Sequence, residues 1–226
     1  PFGGLIESTA RFLASNVILA LEVLAYQQIA HRDLKPGNLL MGQDGYVTLA
    51  DFGLAKKIPD KSYTICGTRL YFAPELVIAD RFYRTWGHTR SVDYWALGCL
   101  VYEFLVGHSP FVRNARTRQD MYNNILDVER SLVFPAGFDP DAKDLIVKLL
   151  HHDPALRLGA RGVGEIKSHK WFTSVGFDWD AILHKTARAP FLPAIADNMD
   201  TSNFATSPGT APVVPYTGFP HCFEDF

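Results

Sequence analysis

Between Ser8 and Gln28 the apolar residues Phe12, Leu13, Val17, Leu21 and Leu24 recur at helical spacing, with no Pro or Gly among them. That pattern predicts a long helix with one face in the core. The rhythm then breaks. Pro36-Gly37, Gly42, Asp44-Gly45 and Gly53 punctuate short apolar runs, Leu39 to Met41 and Tyr46 to Leu49, which predict short strands joined by loops. From Val92 to Val106 the chain is apolar on nearly every side, as a helix at the centre of a domain must be. Asp139-Pro140 reads as a helix start, because Pro fits the first turn and Asp can cap its free amides. Ala142, Leu145, Ile146, Leu149 and Leu150 then form the apolar stripe. Beyond Trp171-Phe172 the pattern fades, and from Ala189 the chain is rich in Pro, Ser and Thr without a period, which predicts a tail. There are no internal repeats.

Composition narrows the class. A chain of 226 residues, 47% of them hydrophobic, can bury a substantial core. Twenty-two basic residues against twenty-four acidic ones lack the cationic excess of a nucleic-acid binder, so no nucleic-acid partner is expected. Cys66, Cys99 and Cys222 are far apart and form no CxxC pair, which argues against a disulfide framework or a zinc site and for a reducing compartment. The chain opens on no leader pattern. The stretch from Tyr94 to Val106 is interrupted by Glu103 and too short for a bilayer, so no membrane span is expected and the reading is soluble and cytoplasmic.

The chemistry concentrates in His31-Arg32-Asp33-Leu34-Lys35-Pro36-Gly37-Asn38, with Asp51-Phe52-Gly53 starting thirteen residues after Asn38. Either tripeptide alone would read as an ordinary turn with a capping carboxylate; the two at this spacing do not. They resemble the catalytic-loop and metal-binding motifs of protein kinases. Phosphoryl transfer needs a carboxylate to orient and deprotonate the attacking hydroxyl, and oxygen ligands to hold Mg²⁺ against nucleotide phosphates. The resemblance implies Asp33 for the first, Asn38 and Asp51 for the second, and Lys35 on the transferred phosphate of ATP, as in kinases acting on Ser or Thr of protein substrates. It implies a mainly α-helical kinase C-lobe with short β-hairpins, residues 1–172, followed by a C-terminal tail, 173–226, with the N-terminal β-lobe absent.

Cys66 to Glu75, ending Ala73-Pro74-Glu75, resembles the end of a kinase activation segment. By that likeness Glu75 pairs with Arg157, Asp93 hydrogen-bonds the catalytic-loop backbone from below, and Thr68 hydrogen-bonds Asp33 and Lys35. Thr64-Ile65-Cys66-Gly67-Thr68, Leu156-Arg157-Leu158-Gly159, His169-Lys170-Trp171-Phe172 and the terminal Phe223-Glu224-Asp225-Phe226 are similar to the AGC group, especially its cyclic-nucleotide-dependent kinases. There Thr64 would be a phosphosite for an upstream activating kinase, with Arg32 and Lys56 as cationic partners. Leu40 would floor the adenine pocket and Phe204 close it, while Glu103 would face basic substrate residues.

The chain also departs from that family. Only thirty residues precede His31, which leaves no room for a Gly-rich loop and a strand lysine. The chain is thus expected to be a fragment and a poor catalyst alone, or a catalytically inactive scaffold of kinase fold. Gly37, Leu5 and Arg69-Leu70 stand where close relatives carry Glu, Glu and Pro-Glu. Ala79 to Ser91 is longer than its counterpart and basic, through Arg81, Arg84 and Arg90. His151-His152 is expected to serve a helix C-terminus rather than a metal, and Gly159, Gly162 and Gly164 to form a loop.

Overall fold

Helix α1 (Glu7–Tyr26) forms where the apolar period predicts it and buries Phe12, Leu13, Val17, Ile18, Leu21 and Leu24. The computed structural model describes residues 3–82, 87–196 and 200–203. In chain order α1 is followed by strands β1 (Ile29–Ala30), β2 (Leu39–Met41), β3 (Val47–Leu49) and β4 (Lys56–Lys57), then α2 (Pro74–Phe82) and α3 (Ser91–Val106). The remaining helices are α4 (Arg118–Leu126), α5 (Val128–Ser131), α6 (Pro140–Leu149), α7 (Gly164–Lys167), α8 (Lys170–Thr173) and α9 (Trp179–Leu183). The fold is mainly helical with short two-stranded sheets, as the sequence reading expects.

All but two of the sixteen residues of α3 are buried, so this helix has no solvent face and the others pack around it. It lies against α1 and α6. A Cβ on Gly98 would meet Leu149 Cβ and Leu150 Cδ2 at 2.9 Å, so glycine at this point of α3 is what lets the end of α6 approach so closely. Asp139 caps α6 by accepting from the Ala142 amide at 2.7 Å, with Pro140 in the first turn. α1 is also long and apolar enough to cross a bilayer, and half of that stretch is buried inside the fold.

The two small sheets are antiparallel. β1 pairs with β4 through Ile29↔Lys57 and Ala30↔Lys56, and β2 pairs with β3 through Leu39↔Leu49, Leu40↔Thr48 and Met41↔Val47. Both sheets rest on α1, through β1 and β3.

At four points the structure corrects or adds to the sequence reading. The order does not fade after Phe172: Phe177 and Trp179 lie 5.3 and 4.8 Å from the Phe172 ring, and Asp178 caps α9. Aromatic edges rather than a period hold this stretch, which is why periodicity misses it. Residues 79–82, where the longer basic stretch begins, continue α2, and Arg81 Nη1 donates to Asn123 Oδ1 on α4 at 2.9 Å. His151 does not cap the helix before it. Its Nδ1 lies 3.1 Å from the Asp153 amide, which donates to it, and its carbonyl accepts from Arg157 Nε. Gly164 opens the short helix α7 rather than sitting in a loop.

The chain divides into two units, Pro1–Pro193 and Ala194–Phe226. Within the first, the Ala187 carbonyl accepts from the Tyr46 hydroxyl at 2.7 Å, and the Phe191 carbonyl fills the space a Cβ on Gly45 would need. In the second, Asp200 accepts from the amides of Ala196 and Ser202, both at 2.8 Å. Phe204, Arg84, Cys222, Phe223 and Phe226 lie outside the described residues.

Candidate active site

The loop from His31 to Asn38 joins β1 to β2. Pro36 forces the residue before it into extended backbone, and Lys35 accordingly has φ −162° and ψ 163°. A single 3-10 turn, Pro36–Asn38, then returns the chain so that Asn38 Nδ2 donates to the Asp33 carbonyl at 2.8 Å and to Asp33 Oδ2 at 3.2 Å.

At the other end of the loop Arg32 is left-handed, φ +67°. A non-glycine residue there is strained. The buried Asp93 at the start of α3 holds it: its carboxylate accepts from the His31 amide at 2.7 Å and the Arg32 amide at 2.9 Å. The Asp33 amide donates to His31 Nδ1 at 3.3 Å, so the ring proton sits on Nε2, which donates to the Ala50 carbonyl at 3.0 Å.

Thr68 arrives from the far side. Gly67 has φ +103°, and a Cβ on it would stand 2.2 Å from the Arg32 carbonyl oxygen, so this close crossing requires glycine. It delivers the Thr68 amide and hydroxyl to Asp33 Oδ1, at 2.8 and 2.6 Å. Lys35 Nζ donates to Asp33 Oδ2 at 2.7 Å and to Thr68 Oγ1 at 3.0 Å. Asp33 thus accepts from four donors, about as many as a carboxylate has lone-pair sites. Burial pushes its pKa up, but the hydrogen bonds from Lys35 and Thr68 outweigh that and hold it below the usual carboxylate value. It is an anion at neutral pH.

Asp51 reaches the same region by register. Leu39 faces Leu49 and the Ala50 amide donates to the Asn38 carbonyl at 2.8 Å, so Asp51 stands one residue beyond the partner of Asn38. It too is left-handed, φ +60°, and its exposed carboxylate accepts from the Gly53 amide at 3.2 Å. Asn38 spends its amide hydrogens on Asp33, which leaves its oxygen without a donor among the described residues. A carboxylate and an amide oxygen are hard donors that fit Mg²⁺, which takes few protein ligands and completes its shell with phosphate and water oxygens.

Asp33, Lys35, Asn38 and Thr68 are therefore brought into direct contact and Asp51 beside them. Arg157, 1% exposed, forms a two-pronged pair with Glu75 at 2.8 and 2.9 Å and also donates to the Ser91 carbonyl. Glu103 accepts from the Tyr71 hydroxyl at 2.8 Å. Leu40 is exposed on β2 opposite Thr48. Thr64 is exposed, and the two cations expected beside it meet elsewhere: Arg32 Nη1 and Lys56 Nζ both donate to the hydroxyl of the buried Ser62, each at 3.4 Å.

Ser62 and its cross-strand partner escape sequence reasoning, since neither belongs to a motif. Ser62 and His88 exchange both backbone hydrogen bonds at 2.8 Å. His88 is 5% exposed, and its Nε2 has no partner among the described residues. Burial, then the charge of Arg32, lowers its pKa to about 4. An unfolded histidine titrates near 6.5, so between those values the unfolded chain binds the extra proton, and stability falls as pH drops through the window. The loss between pH 7 and pH 5 is expected to reach about 2 kcal/mol in urea titrations. His88→Gln should flatten that slope; an equally steep slope in the variant would refute the assignment.

A family model described as protein kinase domain matches residues 3–172. The chain is 40% identical over 231 residues to a cAMP-dependent protein kinase catalytic subunit of Dictyostelium discoideum, an alignment covering 97% of this chain and 33% of that protein. It is 44% identical over 200 residues to a "cAMP-dependent protein kinase, catalytic subunit-like" protein of Caenorhabditis elegans, covering 88% and 47%. To the human cAMP-dependent protein kinase catalytic subunit PRKX it is 41% identical over 208 residues, covering 91% and 55%. The chain thus spans between a third and just over half of the length of these curated relatives.

Proposed function

The chain belongs to the protein kinase family, and on that premise we propose that the protein carrying it transfers the γ-phosphate of ATP to a Ser or Thr hydroxyl of protein substrates. The observation that carries the reading is the four-donor shell on Asp33, made by Lys35, Asn38 and Thr68, with Asp51 one residue beyond the partner of Asn38.

Asp33 is the group that receives the acceptor hydroxyl. Its lone pairs are already filled, so the incoming alcohol takes the place of one donor. Lys35 is the one suited to leave, because its side chain is 30% exposed and its ammonium is drawn to a γ-phosphate. When Lys35 swings away, Asp33 Oδ2 is freed for the hydroxyl while Thr68 still holds Oδ1, so the base keeps its orientation. Its depressed pKa makes Asp33 a weak proton acceptor, and it acts first by aligning the nucleophile in line with the phosphorus. Asn38 and Asp51 would hold Mg²⁺, which neutralises charge on the phosphates and fixes their position. Leu40 and Phe204 would contact the adenine, and Glu103 the substrate.

A division into a C-lobe, 1–172, and a tail, 173–226, belongs to the same reading, as do a cytoplasmic location and phosphorylation of Thr64 by an upstream kinase. A phosphate on Thr64, two residues from Ser62, would compete with that hydroxyl for Arg32 and Lys56. The full-length protein, incubated with γ-labelled ATP, Mg²⁺ and casein or histone, is expected to place label on Ser and Thr, with chelation of Mg²⁺ returning it to background. Absence of label with every acceptor would reject the activity.

A further inference from the structure

The turn that follows Thr68 bears on what stands next to the acceptor hydroxyl. Thr68 holds Asp33 with both its amide and its hydroxyl, and residues Arg69–Tyr71 leave it as one 3-10 turn. Adjacent Cα atoms are about 3.8 Å apart, and an extended substrate advances about 3.3–3.6 Å per residue. Once a hydroxyl sits on Asp33, substrate residues one or two places away come within reach of an arginine that directly follows Thr68.

Arg69 is presented outward, its side chain 53% exposed, with the half-exposed Leu70 next to it. Its partners among the described residues are Asp80, near the end of α2, whose Oδ2 stands 3.7 Å from Nε, too long for a hydrogen bond, and the Tyr122 hydroxyl of α4, with which the guanidinium also interacts. Asp80 Oδ2 instead accepts from the Tyr122 hydroxyl at 2.5 Å. Asp80 and Tyr122 thus orient the guanidinium through weak, exposed contacts that occupy only part of its five-donor fork. The other carboxylates bonded to this turn or its anchor are already engaged, Glu103 by Tyr71 and Asp33 by its four donors. Gly37, in the catalytic loop, adds none.

We infer that Arg69 is a specificity-determining residue that selects an acidic side chain within two residues of the acceptor, taking its carboxylate on the guanidinium N–H groups that Asp80 and Tyr122 leave unused. This rests on the kinase reading above and names a substrate class for it. A planar guanidinium matches a carboxylate with two parallel N–H donors, which a lysine cannot reproduce.

The test uses the full-length protein and a set of Ser peptides that differ only in carrying Asp, Ala or Lys at each of the two positions on either side of the acceptor. At one of these positions Asp is expected to exceed Lys in kcat/KM by about tenfold. In Arg69→Ala that ratio should collapse to within about twofold, and in Arg69→Glu it should invert in favour of Lys. Equal losses on all peptides in both variants would overturn the inference, since a merely structural arginine gives that result. So would an unaltered protein that phosphorylates the set without regard to charge, and this leaves the kinase reading intact. If the unaltered protein phosphorylates no peptide and no protein acceptor, the kinase reading itself fails and the inference with it.

Discussion

Asp33→Asn in the full-length protein is expected to lower the rate of phosphate transfer by about 10²- to 10⁴-fold, the range for loss of a positioned general base. Nucleotide affinity should be kept. The geometry says more than the usual argument from charge. All four neighbours of this carboxylate are donors, two on each oxygen. An amide can offer only one oxygen, so its NH₂ must face either the Lys35 and Asn38 pair or the amide and hydroxyl of Thr68. Donor then confronts donor, and the variant loses the orientation of Thr68 or of Lys35 along with the negative charge. Nucleotide titration and a thermal melt on the same preparation separate the chemical loss from unfolding. Turnover that survives at the original rate would remove Asp33 from its assigned role.

The largest effect on stability is expected from Glu75→Ala, a loss of about 3–5 kcal/mol, because it strands a buried cation. Arg157 is almost wholly inside the protein, and among the described residues only the Glu75 carboxylate balances its charge; its other partners there are carbonyl groups of Ser91, His151 and His152 and the Ser91 hydroxyl. The guanidinium also lies over the Trp95 ring, 5.3 Å from its centre, at the heart of α3. Deleting the acid alone thus leaves an ion with no counter-charge against the core. The double variant Glu75→Ala/Arg157→Met should recover most of the loss, since replacing both ions by apolar groups is far less costly than orphaning one. Urea midpoints of the three proteins decide the matter. A double variant no more stable than the single one would show that the pair is not what holds the start of α2 to the loop at Arg157.

The long helices were legible because burial imposes a period on sequence. α1 shows one apolar stripe, α3 shows apolar residues all round, and Asp139-Pro140 announces α6 by capping chemistry. The catalytic loop was legible as a motif, and its contacts follow from local rules, with Pro36 extending Lys35 and the short turn returning Asn38. The aromatic corner of Phe172, Phe177 and Trp179 was not, since three rings meeting at steep angles need no periodicity. Nor was Ser62. Its importance arises because β1 and β4 lie side by side, so that residues thirty apart, Arg32 and Ser62, become neighbours. The capping box Thr117–Asp120 was open to reading, with Thr and Asp three apart, and marks α4 where hydropathy is uninformative.

The anchoring of the catalytic loop by Asp93 has a consequence for motion. Arg32 keeps an unfavourable backbone angle only while both amides of the pair His31-Arg32 are gripped by a carboxylate rooted in α3. Neither amide can meet solvent deuterium unless that grip is released, and releasing it strands a charge beside the most deeply packed helix. Fluctuations that open the outer loops should therefore leave these two N–H groups protected until the central helix itself comes apart. The part of the loop nearest the chemistry is then among the last to yield.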